Sequence, residues 1–279
     1  MIRIRSCEGF DEFDACVQLQ IETWGYVESE LIPRKTFLLA QTIGGQVIGA
    51  FESEGGNDAG ISTDGAGKST ESLVGFAMSL PGVKTDDGCA RPYLHSHMLA
   101  VREGYRNRGI GVQLKRKQRD EALSRSITRI EWTFDPLEIK NAFLNIHRLG
   151  AVARTYRPDF YGVSSSRLQG GLPTDRLMAE WELDSPRVRE VLEGGPAAVN
   201  VIEDRILVPA QIYQWKASRV DRERALAVQM ENRRKFQQAF SQGLVVIGFS
   251  LDAEGNGIFE LGSLTQPQRV FHTKERENL

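Results

Sequence analysis

The sequence predicts an α/β protein, with a main domain at residues 1–184 and a smaller α+β extension at 185–279 packed on it. Three observations predict this. Strand-like and helix-like segments alternate from the first residues onward. The 279 residues, 41% of them hydrophobic, exceed what one small domain needs to bury a core. The composition then shifts at "SPRVREVLEGGPAAVN", beyond which a second set of strands and helices begins.

Thirty-five Lys and Arg against 37 Asp and Glu leave a net charge of −2, so no bulk field draws this chain to nucleic acid or to anionic lipid. Neither is expected as a partner. Cys7, Cys16 and Cys89 are an odd number at no metal-like spacing, which fits a reducing compartment better than a disulfide framework. "MIRIRSCEGF" lacks an apolar signal core and no run reaches membrane-spanning length, so the expected location is the cytoplasm. No metal site is expected.

In chain order, "IRIR" reads as a strand. "GFDEFDACVQLQIETWG" reads as a helix, with Phe13, Cys16, Val17, Leu19, Ile21 and Trp24 near helical spacing and Gly25 at its end. "TFLLAQTIGGQVIGAFES" and "ESLVGFAMSLPG" read as strands with glycine turns. Between them, at about 53–71, a Gly, Ser, Thr and Asp-rich stretch reads as a flexible loop. Its "GAGKST" resembles the end of a phosphate-binding Walker loop, but Ser62 stands where the first glycine belongs and no apolar strand precedes it.

"PYLHSHMLAV" is the next strand, "REGYRNRGIG" a connection, and "IGVQLKRKQRDEALSRS" a helix with Ile110, Leu114, Gln118 and Ala122 on one stripe. Gly109 and Gly111 therefore sit where a strand turns into a helix. The first N–H groups of a helix have no intrahelical acceptor and the dipole adds partial positive charge there, so the main chain itself can hold an anion. The simpler reading is a turn whose glycines only satisfy unusual dihedrals. A dinucleotide fingerprint would need a small residue where Leu114 stands, and would belong to the first strand-turn-helix unit. What remains is Arg/Gln-x-x-Gly-x-Gly/Ala, met by Arg106, Gly109 and Gly111.

With this turn, the stretch "HMLAVREGYRNRGIGVQLKRKQRDEAL" resembles the coenzyme A motif of the GNAT superfamily of acyl-CoA N-acyltransferases. The strand "ITRIEWTFDP" and the helix "NAFLNIHRLGA", whose "RLGA" is similar to the family's "KLGF", follow in the expected places. "WTFDPL", "YRPDFYG" and "GLPTDRLMAEWEL" resemble a largely uncharacterised branch of predicted members. The resemblance covers about residues 1–184. It implies a mixed, mostly antiparallel central sheet splayed between its fourth and fifth strands and flanked by helices.

The same resemblance implies the cofactor contacts. Leu99, Ala100 and Val101 face the pantetheine amides with their backbone, and main-chain N–H groups of Arg106, Asn107, Arg108, Gly109, Ile110 and Gly111, with Val112 following, cradle the pyrophosphate. Lys115 and Arg116 either reach the adenosine 3′-phosphate or form a solvated helix face. Asn141 and Asn145 touch coenzyme A, or cap and pack their helix. The co-substrate is acetyl-CoA or another acyl-CoA.

Acyl transfer from a thioester to an amine calls for a base, an N–H donor for the oxyanion and an acid for the thiolate. Alternation puts His95, His97, Leu99 and Val101 on one face of their strand, and His97, nearer the splay, is preferred over His95 as the base. A hydrogen-bonded structural pair is the alternative. Asp135 either orients a histidine or substrate ammonium, or caps the turn. The family's tyrosine acid is missing, since Ile146 stands at its position; Ile139 likewise stands where the family has asparagine. Tyr161, Tyr156 and His147 are replacements by proximity.

In the extension, "RILVP" reads as a strand, "DRERALAVQMENRRKFQQAFSQG" as a helix and "LVVIGFSLDAEGNGIFELG" as a hairpin. The functional expectation is transfer of an acyl group, most simply acetyl, from coenzyme A to a primary amine of a small metabolite such as an amino acid, by direct attack in a ternary complex. N-succinyl transfer to amino acids and a catalytically silent acyl-CoA-binding module are the alternatives, in a monomer or homodimer.

Overall fold

The computed structural model describes residues 1–53, 71–86, 88–195 and 201–264. Most of the expected loop at 53–71 lies outside the described residues. Among the described residues ten strands form one sheet: β1 (Ile2–Ser6), β2 (Gln46–Ser53), β3 (Glu71–Asp86), β4 (Cys89–Val101), β5 (Arg129–Phe134), β6 (Val152–Arg157), β7 (Arg176–Glu182), β8 (Asp204–Val208), β9 (Val245–Leu251) and β10 (Gly257–Gly262). Their spatial order is β1-β2-β3-β4-β5-β7-β6-β9-β10-β8. Every neighbouring pair is antiparallel except β4–β5. The helices are α1 (Gly9–Trp24), α2 (Arg34–Thr42), α3 (Ile110–Ser124), α4 (Ile139–Ala142, continued by a π-helical turn at Phe143–Arg148), α5 (Pro186–Leu192), α6 (Ile212–Ala217) and α7 (Arg222–Ser241).

Two faces of the sheet carry different helices. Phe13 of α1 and Phe37 of α2 pack against Phe76, Met78, Met98 and Ala100. Ile110 and Leu114 of α3 pack against Ile48, Ala50, Val74 and Ala77. The α3 stripe read from the sequence is buried as expected, since Ile110, Leu114, Gln118 and Ala122 recur every four residues.

One element differs from its sequence reading. Residues 36–42, read as the start of a strand, belong to α2. Pro33 precedes its first turn, and its buried residues Phe37 and Ala40 are three apart, the spacing of a helix face rather than of a strand. The apolar "FLLA" run misleads because Leu38 and Leu39 are exposed. Gly45 then delivers the chain into β2 at close quarters: a Cβ there would stand 2.3 Å from the Ser79 carbonyl oxygen.

The expected strand, helix and hairpin of the extension appear as β8, α7 and β9–β10. They continue the sheet through the pair Ala153↔Val246 between β6 and β9. Phe236 of α7 stacks on Tyr156 of β6 at 5.6 Å and meets Phe259 of β10 edge-on at 5.2 Å. Buried Asp175, just before β7, accepts two hydrogen bonds from the Arg233 guanidinium at 2.7 and 2.9 Å and one from the Tyr156 hydroxyl at 2.5 Å.

Candidate active site

β4 and β5 pair only at Leu94↔Ile130 and His95↔Glu131. Beyond these residues the two strands are not paired with each other, and a cavity of about 410 Å³ lies between them. This is the splay expected between the fourth and fifth strands. A register shift against β3 opposes Ser79 to Ser96 but Met78 to Met98, leaving His97 as the extra residue of a bulge. The bulge overturns the simple alternation. Ser96 and Leu99, three apart, both face α3, while Met98 packs with α1 and α2. His95, His97, Leu99 and Val101 therefore do not share one face.

His97 lines the cavity with Ser96, Met98 and Leu99 of β4, whereas His95 is not part of that lining. Their rings lie 6.3 Å apart. Burial, aided by the charge of His97, holds His95 below its ordinary value of 6.5, and burial does the same to His97. Both are therefore neutral at pH 7, the state a base requires.

Asp135 lines the cavity at the end of β5, but its carboxylate is engaged. Oδ1 accepts the Leu137 N–H at 2.8 Å, which is the capping role, and Oδ2 accepts Lys216 Nζ at 2.9 Å. The same ammonium donates to Glu138 at 2.7 Å. Burial pulls the Lys216 pKa down, but the two carboxylates outweigh it and hold it above 10.5. Lys216 comes from α6, so the extension neutralises two carboxylates in the cavity wall.

The three replacements for the missing acid separate clearly. The Tyr161 hydroxyl lies 2.9 Å from Thr133 Oγ1 of β5 and both residues line the cavity. Tyr156 is core: burial first, and Asp175 second, push its pKa upward. His147 stacks on Phe143 at 4.4 Å and lines a different cavity. Asn141 and buried Asn145, by contrast, both line the splayed cavity.

In the glycine turn, Asn107 and Gly109 take φ of +62° and +76°, and Gly109 is the residue before α3. A Cβ at Gly109 would meet nothing within 4 Å, so its glycine answers the dihedral and keeps the approach open. The Arg106 N–H already donates to the Glu103 carbonyl at 3.2 Å, and its Nε to the Val101 carbonyl at 3.1 Å. Any cradle of N–H groups therefore starts at Asn107. Arg108 lies against the Tyr105 ring at 5.0 Å. Ile110 is buried, and Val112 packs on the core and faces the second cavity.

Lys115 is where the sequence reading fails most. Placed among charged neighbours on α3, it is only 1% exposed and points into the base of the splay. Nζ donates to Ser96 Oγ at 2.7 Å and lies 3.8 Å from the centre of the Trp132 ring. Ser96 Oγ in turn donates to Gln118 Oε1 at 3.1 Å. Burial lowers the Lys115 pKa from 10.5 to about 7. Neither a 3′-phosphate contact nor a solvated face fits it, and no single-residue signal separates it from Arg116, whose guanidinium donates to the Leu192 carbonyl at the surface. Trp24 and Arg176, also in the lining, lie in segments that read only as a helix end and a strand start, and Tyr26 lies just past that helix in a stretch with no reading.

Comparison with known proteins agrees with this geometry. Residues 15–144 match the model described as the acetyltransferase (GNAT) family, so the class is an acyltransferase enzyme. That stretch runs from α1 into the π-helical turn. Among solved structures, that of Arabidopsis thaliana NAA60 in complex with acetyl-CoA is 14% identical, with a TM-score of 0.50 over 66% of this chain and 100% of the other. The ribosomal-protein-S18-alanine N-acetyltransferase of Escherichia coli is 16% identical, with a TM-score of 0.46 over 66% and 96%. A putative acetyltransferase of Salmonella typhimurium with its cofactor acetyl-CoA is 15% identical, with a TM-score of 0.46 over 66% and 95%. At such identity the NAA60 likeness concerns the fold. No curated protein matches the chain. Among the described residues no helix is long and apolar enough to cross a membrane.

Proposed function

We propose that this chain transfers an acyl group, most simply acetyl, from coenzyme A to the primary amine of a small metabolite, an amino acid included. The single observation behind the reading is the splayed β4–β5 pair, whose cavity lies beside a helix start with two residues at positive φ. Acyl-CoA supplies an activated thioester; everything else is done by the chain.

In this reading the N–H groups from Asn107 through Gly111 hold the pyrophosphate, helped by the dipole of α3. The backbone of Leu99, Ala100 and Val101 pairs with the pantetheine arm as a strand would, and Asn141 and Asn145 border it. His97, neutral at pH 7, takes the proton of the acceptor ammonium, and the freed amine attacks the thioester directly. Asp135 acts on the wall of the site through its bond to Lys216 rather than as a proton carrier. The main domain at 1–184 carries this machinery and the extension supports it.

Two measurements test the reading. Calorimetric titration with acetyl-CoA, coenzyme A and a nicotinamide dinucleotide should give binding to the first two alone. Thiol release with acetyl-CoA and succinyl-CoA against a panel of amino acids and polyamines should then give turnover with at least one amine. Absence of acetyl-CoA binding sinks the central claim, and binding without thiol release leaves a silent binding module instead.

A further inference from the structure

The tyrosine position that would serve the leaving group holds Ile146, which is buried. Tyr161 is bonded to Thr133, and Tyr156 and His147 lie away from the cavity. One buried, ionisable side chain in the lining has no assigned task. Lys115 reaches the base of the splay from α3, the helix whose start holds the glycine turn.

The hydrogen-bond direction around it is fixed. Ser96 Oγ gives its proton to Gln118 Oε1, so it can only accept from Lys115. Beyond Gln118 the path ends inside the core, for Gln118 Nε2 is buried with no partner. Lys115 itself lines the cavity. Among the described residues no carboxylate forms an ion pair with the amine. His95 and His97 lie on the neighbouring strand. Glu131 on β5 is paired with Lys84 of β3 and with Arg129, while Asp135 and Glu138 are taken by Lys216. Burial alone lowers the Lys115 pKa.

Resting on the acyl-transfer reading above, we propose that Lys115 is the general acid of the reaction, giving a proton to the coenzyme A thiolate as it departs. The acceptor ammonium loses one proton to His97. The N–C bond forms as the C–S bond breaks, and the electron pair of that bond goes to sulfur. The Lys115 ammonium gives its proton to the sulfur, and the neutral amine then regains one as the new amide sheds its second nitrogen proton. One proton leaves with the products, by way of His97. An amine that titrates at about 7 is protonated often enough at neutral pH and acidic enough to serve a thiolate.

The test is the pH profile of kcat for acetyl transfer with the best amine of the panel. The wild-type kcat should fall as pH rises through about 7. Lys115→Met should lower kcat by roughly a hundredfold or more, the usual span for a lost proton donor, and abolish that alkaline limb while coenzyme A affinity stays within a few fold. Lys115→Arg, a cation that does not release its proton, should behave the same way. Ser96→Ala should move the limb to lower pH, because the ammonium loses its acceptor. Both Lys115 variants keeping kcat and the limb would overturn the proposal. A wild-type protein that binds no acetyl-CoA, or releases no thiol, would instead remove the reading beneath it.

Discussion

Lys115 should cost the folded protein stability, by an amount that depends on pH in a calculable way. Its pKa is depressed on folding, from 10.5 to about 7, so between these values the unfolded chain holds a proton that the folded chain has shed. Stability therefore rises with pH across this window. The cost is fully present below about 7 and gone above 10.5. At ~1.4 kcal/mol per pH unit, the full cost is about 5 kcal/mol, and at pH 8 about 3 kcal/mol of it remains. These figures are upper bounds, because a relaxed site lets water reach the ammonium.

Lys115→Met shortens the side chain by one atom, discards the charge, and loses the bond to Ser96 and the contact of the ammonium with Trp132. Urea unfolding of both proteins at half-unit steps from pH 7 to 10 measures the difference. The variant should be the more stable by several kcal/mol at pH 7, with the two curves converging as pH rises. A difference that stays constant across the range, or a variant that is less stable at pH 7, refutes the reasoning. A lysine kept at such cost is what a stability–function trade-off leaves behind.

Other outcomes follow from other contacts. Gly109→Ala should cost about 1–2 kcal/mol in thermal unfolding, the price of a left-handed φ for a residue with a Cβ, yet leave coenzyme A affinity nearly intact because the space is open. Gly109→Trp should abolish measurable coenzyme A binding by calorimetry; unchanged affinity means the pyrophosphate lies elsewhere. Lys216→Met leaves Asp135 and Glu138 facing one another in the buried wall and should lose about 3–5 kcal/mol in denaturant unfolding. The acid limb of kcat/KM, set by His97, should fall below pH 6.5, since burial lowers that pKa; a limb above 7 would point to another base.

The parts of this molecule legible in its sequence are those written in local periodicity. The α3 stripe, the glycine turn and the β9–β10 hairpin are each contained in one short run of adjacent residues. α2 was misread because its exposed Leu38 and Leu39 make an amphipathic helix look like a buried strand. The bulge at His97 has no local signature at all, since it is a count of residues against β3, and it reassigns every face after Ser96. Lys115 and Lys216 were invisible for a related reason. A lysine on a helix reads as solvated, and only the partner surface decides whether it is buried against Trp132 or between two carboxylates.

The single pair Ala153↔Val246 has a bearing on dissection of this protein. A chain cut after residue 184 would lose that pairing, leave β6 as the outer edge of the sheet and strip the Tyr156 ring of Phe236. Such a fragment would be sticky rather than minimal, prone to pair edge-on with its own copies. Shorter versions made for crystallisation or screening should be judged by their tendency to aggregate before their activity is read.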